Sequence, residues 1–388
     1  MTSEEELTIS LTQGIIPGRQ WVFPSRVIQK GLNWRRFKEL ISYHEIYPYL
    51  YPLIKDSANL FPVEIIDFLK NNYYYYLVYS QRLLREFLCI SAAFKQAQIR
   101  VVPLKGIAFL QDIYFDLPTR PMTDIDLLVE KINLPLATEI LLKLGFLERT
   151  GGLSQSYWLE KQCHLQFIKG KAGKDIIYVD LHFSLDFKRN NLDILPQLWS
   201  RVSAGMLSWE DAIFCLALHQ RRFGKALCLK NVVDAGLILK KYQNTLDWDY
   251  LITQANSGRM RSTLFFLLAQ VKLIFDSEIR LPELKLFCPN YFKRKLIHSF
   301  IKHNVFSDTL TKKAKQLYLK SHFLLYDDFF EPVSYILNIP QEQFAKFYNL
   351  GADNKNTKLL YNNRFAYIFY RSILSVFDKT PAQDRHNA

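Results

Sequence analysis

The chain has 388 residues and a formal net charge of +13, from 50 Lys and Arg against 37 Asp and Glu. Hydrophobic residues make up 49% of it and the mean hydropathy is −0.07, so the expectation is a soluble globular protein with a large core in two or three subdomains. No apolar run approaches the ~20 residues of a membrane span, and the five scattered cysteines form no CxxC pair, which argues against a zinc site and for a reducing compartment.

The opening "MTSEEELTIS" is acidic and lacks the basic-then-apolar layout of a signal peptide, so a cytoplasmic location and no membrane are expected. Short helices separated by turns are read around Trp34–Leu40 and in the Tyr/Pro-rich stretch "YHEIYPYLYPLI". After Pro62, from Val63 to about Gln98, the chain has no Gly or Pro and keeps helical apolar spacing, which predicts one long helix. Its Tyr73–Tyr76 run points in four directions and reads as core plus half-exposed surface.

Between Arg100 and Asp186 the texture becomes α/β. "VVPL" (101–104) reads as a strand, Gly106 opens a helix "IAFLQDIY", and the polar turn "FDLPTRPMT" leads to the strand "DIDLLVE". Asn133 is the expected cap of a helix ended by Gly145. "YWLEKQCHLQFIK" and "DIIYVDLHFSL" read as two strands joined by "GKAGK". After Trp199 the chain reads as helical: Ser208 with Asp211 resembles a capping box, and helical periods follow at 231–241, 248–256, 262–276, 308–325, 340–349 and 364–377. The expected organisation is a helical region over 1–98, an α/β core over 99–200 and a helical region over 201–388. Trp158, Trp199 and Trp209 read as core.

Two carboxylates in an apolar strand require a use, because burying an unpaired charge is costly. Asp124 and Asp126 stand two apart, so both project from one strand face. Asp180 lies among apolar neighbours in the later strand "YVDLH". Three such acids on adjacent strands can hold two divalent cations about 3.5–4 Å apart, the arrangement of in-line phosphoryl or nucleotidyl transfer. Mg²⁺ suits it, since Mg²⁺ prefers oxygen and keeps part of its shell for phosphates and water. Lys105-Gly106, at a strand-to-helix junction, and Arg120 are candidate phosphate contacts. His182 projects to the Asp180 face, where it orients an acid, touches substrate or bonds to backbone. His164 has the same ambiguity. His219, Lys230 and Asp234 read either as helix-packing polar contacts or as a nucleotide-facing wall.

The stretch "VVPLKGIAFLQDIYFDLPTRPMTDIDLLVE", with "LLKLGF", "HLQF", "VDLH" and "ALHQRRFGKALCLKNVVDAGLIL" after it, resembles the uncharacterised nucleotidyltransferase family of the DNA polymerase β-like superfamily, over roughly residues 60–280. The resemblance implies an α+β fold: a small mixed sheet backed by helices, then a helical domain. It implies that Asp124 and Asp126 are the paired metal-binding acids and Asp180 the third acid, the candidate base for an attacking hydroxyl. It places Lys105-Gly106 at the phosphate loop, although no Ser follows the glycine as in the wider superfamily. The implied activity is Mg²⁺-dependent transfer of a nucleoside monophosphate from an NTP, ATP first among them, to a small-molecule or peptide hydroxyl. Two alternatives stay open: a non-catalytic nucleotide- or protein-binding module of antitoxin-like or regulatory kind, and an enzyme acting on tRNA or other RNA, which the positive charge favours.

Overall fold

The computed structural model describes residues 2–16, 21–29, 31–110, 112–114, 120–170, 176–186, 194–222, 227–275, 284–287, 290–304, 320–328, 330–348, 350 and 355–367. At the start, the Thr2 hydroxyl accepts the Glu5 N–H and the Glu5 carboxylate accepts the Thr2 N–H at 2.8 Å, a reciprocal cap that opens helix α1 (Ser3–Gln13). Short helices α2 (Ser25–Gln29), α3 (Trp34–Tyr43) and α4 (Tyr47–Ile54) follow, as the turn-broken sequence requires. Helix α5 (Val63–Gln96) then runs unbroken for 34 residues. It buries Ile65, Leu69, Tyr76, Tyr79, Leu83, Ile90 and Phe94, a single stripe at helical spacing, and leaves Tyr74 half exposed.

Five strands form one mixed sheet: β1 (Val101–Leu104), β2 (Asp124–Val129), β3 (Leu147–Glu148), β4 (His164–Lys169) and β5 (Ile177–His182). Their order is β1-β2-β5-β4-β3, and only the central β2–β5 pair is parallel. Between them lie α6 (Gly106–Phe109), α7 (Leu134–Lys143) and α8 (Gln155–Lys161). The strand alternation divides the sheet into two faces. Ile125, Leu127, Val129, Leu165, Phe167, Val179 and Leu181 pack with Leu83, Ile90 and Phe94 of α5 and Ala137 and Leu141 of α7. The opposite face sends Val102, Leu104 and Leu128 into a second, larger core.

That second core joins the N-terminal helices to α9 (Leu195–Arg201), α10 (Trp209–Arg222), α11 (Leu229–Tyr242), α12 (Trp248–Ser257), α13 (Arg261–Phe275) and α14 (Tyr291–Asn304). Helices α15 (Phe330–Leu337), α16 (Gln341–Phe347) and α17 (Lys355–Asn362) complete the described chain. The fold is α+β, with helices on both sides of the sheet. Trp158, Trp199 and Trp209 are half-buried and pack against the two cores. No helix among the described residues is long and apolar enough to cross a membrane.

Several local expectations are corrected. The stretch from Tyr157 is not a strand throughout: Ser154 accepts the Tyr157 N–H and the Trp158 indole donates to the Thr150 carbonyl, so α8 forms and the strand begins only at His164. The helix after Gly106 is a single turn ending at Phe109. Asn133 holds the expected N-cap position of α7, but its side chain makes no cap hydrogen bond; its amide donates to the Glu130 carboxylate at 3.5 Å. Ser208 does accept the Asp211 N–H at 3.1 Å, and donates its own proton to the Asp211 carboxylate. Most of the turns 115–123 and 170–174, and of the helices expected at 308–325 and 364–377, lies outside the described residues.

Candidate active site at the centre of the sheet

Strand register assembles the site. The Cα partner of Asp126 across the parallel β2–β5 pair is Asp180, and that of Asp180 across the β5–β4 pair is Gln166. One step along, His182 stands between Leu128 and His164. Period-two alternation puts Asp124, Asp126, Gln166, His164, Asp180 and His182 on the face away from α5 and α7. At the edge, β1 ends with Leu104 opposite Asp126, so the next residue, Lys105, leaves the sheet beside the acids.

The acids are tightly dressed. Asp126 is buried; one carboxylate oxygen faces His182 Nε2 at 2.9 Å and the other faces the Lys105 ammonium at 3.1 Å. Asp180 accepts the Gln166 amide at 3.1 Å, and its other oxygen lies 3.7 Å from His164 Nε2. Donor atoms of Asp126, Asp180 and His182 fall within 4.8 Å of one another. Asp124 is not in such a group of three among the described residues, but the charges of Asp126 and Asp180 reach it.

Burial, with the neighbouring Asp126 and Asp180 charges, pushes the Asp124 carboxyl up to about 7. Burial and Asp126 raise Asp180 as well. Asp126 goes the other way: burial works against its charge, but the Lys105 ammonium and the His182 hydrogen bond outweigh it and hold the carboxyl well below the usual range. Three acids crowd together around the Lys105 ammonium. This donor set fits a hard divalent cation: mainly carboxylate oxygens, already arranged around a positive charge, with one histidine fixing the orientation of an acid.

Lys105 adopts φ 47° and ψ −132°, a backbone region that favours glycine, and its Nζ also approaches His219 Nδ1 at 3.4 Å. Holding a lysine there costs about 1–3 kcal/mol, which the packing around it must offset. Gly106 follows for a different reason. A Cβ there would meet the Met122 sulfur at 3.0 Å and Arg120 Nη1 at 3.1 Å, so the glycine admits the loop that precedes β2.

Arg120 is 5% exposed and its fork closes on Asp234 of α11, through Nε at 2.9 Å and Nη2 at 2.7 Å. The Tyr114 hydroxyl donates to the same fully buried carboxylate, and Tyr49 lies beside Tyr114. The guanidinium expected to grip phosphate is thus bound within the protein, bidentately. The other helical candidates separate: Lys230 pairs with Glu45, whereas His219 reaches the site through Lys105.

Sequence reasoning missed Gln166, Cys163 and Tyr79. Gln166 alternates with His164 in "HLQFIK", which was the available signal for a shared face. Tyr79 of α5 places its hydroxyl between the carbonyls of Thr123 and Ile176, at 3.1 and 3.0 Å, one residue before β2 and one before β5. Burial pushes that phenol up to about 12, so it stays a donor. No signal marks it, three residues after the Tyr73–Tyr76 run. Cys163 has no CxxC partner in the sequence to mark it.

Comparison with curated proteins finds no match, and comparison with solved structures finds none. The sequence model of the uncharacterised nucleotidyltransferase family matches residues 30–276, which contain the whole sheet, the acid cluster and the Arg120–Asp234 pair. With that match spanning more than half of its length, the chain belongs to the uncharacterised nucleotidyltransferase family.

Proposed function

We propose that this protein transfers a nucleoside monophosphate from an NTP, ATP being the first candidate, to the hydroxyl of a small molecule or peptide. The observation that carries the reading is the register of Asp126 beside Asp180 with Asp124 two residues earlier, all on one face of the sheet. Asp124, Asp126 and Asp180 would hold Mg²⁺, two ions in full occupancy. Bound there, Mg²⁺ supplies charge neutralisation at the transferring phosphoryl group and at the oxygens entering and leaving it.

The chain's own groups do the rest. Asp180, whose carboxyl burial and Asp126 raise, is suited to take the proton of the acceptor hydroxyl. The oxygen so freed bonds to the α-phosphorus, the bond from that phosphorus to the bridging oxygen breaks, and pyrophosphate departs. Lys105, at the strand-to-helix junction, carries the ammonium that would follow the phosphate charge, and His182 keeps Asp126 oriented. Arg120 acts through position: tied to Asp234, it fixes the loop that delivers Asp124.

The test is transfer of label from α-³²P-NTP in Mg²⁺, with each nucleotide and fractionated small-molecule or peptide acceptors. The double variant Asp124→Ala/Asp126→Ala, checked for native circular dichroism, is expected to lose all transfer. Transfer at the wild-type rate in that variant would overturn the reading.

One observation favours an RNA acceptor as a second reading. Helix α14 carries Arg294, Lys295 and Lys302 with no acid, and its first residues Tyr291 and Phe292 are exposed. Tight tRNA binding that weakens steeply with salt would move the assignment to RNA; no binding at low salt would remove this reading.

A further inference from the structure

Cys163, His164 and His182 each contribute one donor atom to a group whose members lie within 4.8 Å of one another. The cysteine immediately precedes β4, and its carbonyl accepts the N–H groups of Phe183 and Ser184, which binds the start of β4 to the end of β5. That backbone pairing sets the thiol beside both imidazoles. Cys163 Sγ lies 3.5 Å from His164 Nδ1. Two ligands of one tetrahedral zinc, with Zn–S of about 2.3 Å and Zn–N of about 2.05 Å, would stand about 3.6 Å apart.

The two imidazoles are held differently. Nε2 of His182 is hydrogen-bonded to Asp126 at 2.9 Å, whereas Nε2 of His164 lies 3.7 Å from Asp180, an electrostatic neighbour only. A carboxylate bonded to one nitrogen of a metal-ligating histidine fixes its tautomer and raises the basicity of the other nitrogen, which is the relation of Asp126 to His182. The rings are neighbours, with centroids 5.0 Å apart. Access exists as well: the His164 side chain keeps 19% exposure and Asp180 14%, although Cys163 itself is buried.

We infer that Cys163, His164 and His182 form a site for a thiophilic divalent cation of the Zn²⁺ class, adjoining but chemically distinct from the carboxylate cluster. One thiolate and two imidazoles select a soft or borderline ion over Mg²⁺, and three protein ligands leave a fourth position for water or for Asp180. The ligands come from adjacent positions 163 and 164 and from 182, so no CxxC spacing announces the site. Because His182 also orients Asp126, occupancy would bear on the acid cluster beside it. The inference does not rest on the transferase reading, since binding alone tests it.

The probe is Co²⁺ alone, titrated into the chelator-treated full-length protein, with Zn²⁺ displacement as the affinity measurement. Wild type is expected to bind one equivalent with a thiolate-to-cobalt charge-transfer band that excess Mg²⁺ does not remove. Cys89→Ser, which changes an exposed thiol, should keep the band. Cys163→Ser should lose the band and weaken Zn²⁺ binding by at least about tenfold, and His164→Ala should keep a thiolate band at reduced affinity. Circular dichroism identifies a variant that has failed to fold, and His164→Ala, altered at the partly exposed ligand, is then decisive. A wild type without the charge-transfer band, a band that survives in folded Cys163→Ser, or unaltered Zn²⁺ affinity in His164→Ala would each overturn the proposal.

Discussion

The Lys105 ammonium lies 3.1 Å from the Asp126 carboxylate, at the end of β1 and within β2, with the lysine backbone in a glycine-favoured conformation. The ion pair therefore puts a positive charge among three acids, where a divalent cation would also be drawn. Lysine and cation compete for Asp126, while lysine and phosphate attract. Replacing Lys105 by Met should strengthen Mn²⁺ binding to the nucleotide-free protein and raise the KM for NTP, each by about tenfold. Calorimetry reads the first and steady-state kinetics the second. Weaker Mn²⁺ binding in Lys105→Met would show that the lysine supports the cation rather than competing with it.

The acid cluster should make the metal-free protein less stable as pH rises. Asp124 goes from an ordinary 3.8 to about 7 in the folded chain, so the folded state holds its proton more tightly than the unfolded state. The resulting stabilisation is complete below about pH 4, falls as pH rises towards 7 and is gone above it. Asp180, also raised, adds in the same direction, whereas Asp126, lowered, acts only at more acidic pH. Thermal unfolding in chelator should thus show Tm falling between about pH 4 and 7. Asp124→Asn should flatten that limb; an unchanged slope would place the titration elsewhere.

Arg120 and Asp234 are buried together, so removing one should be worse than removing both. Asp234→Asn leaves a guanidinium without its counter-charge and is expected to lose about 3–5 kcal/mol of stability. The apolar pair Arg120→Met/Asp234→Leu should recover much of that loss, because it removes the desolvated charges together. Urea midpoints of the single and double variants measure the difference, and additive losses would contradict it.

Much of this site could be read in the chain. Asp124, Asp126 and Asp180 declare themselves because charge in an apolar strand is expensive, and a period of two states their common face. Lys105-Gly106 is visible as a strand-to-helix junction. What the chain alone does not show is who meets whom across the sheet and between halves. Arg120 has the form of a phosphate fork, but its destination depends on α11, brought against it by helix packing. Gly106 permits close approach, yet what approaches is Met122 and Arg120. The short α8 interrupts a stretch whose alternation favours strand, because capping at Ser154 and the Trp158 hydrogen bond are local choices that alternation does not encode.

The Tyr79 hydroxyl between the Thr123 and Ile176 carbonyls has a mechanical consequence. One atom on a 34-residue rod touches the lead-in of both strands that carry the acids. A displacement of that rod pulls on both lead-ins in the same sense, so Asp124 and Asp180 travel together and their separation changes less than their position. The far half of the rod lies among the N-terminal helices in the larger core, where Ile65 and Leu69 are seated. A push delivered there would reach the acids as a shared translation, with their spacing preserved.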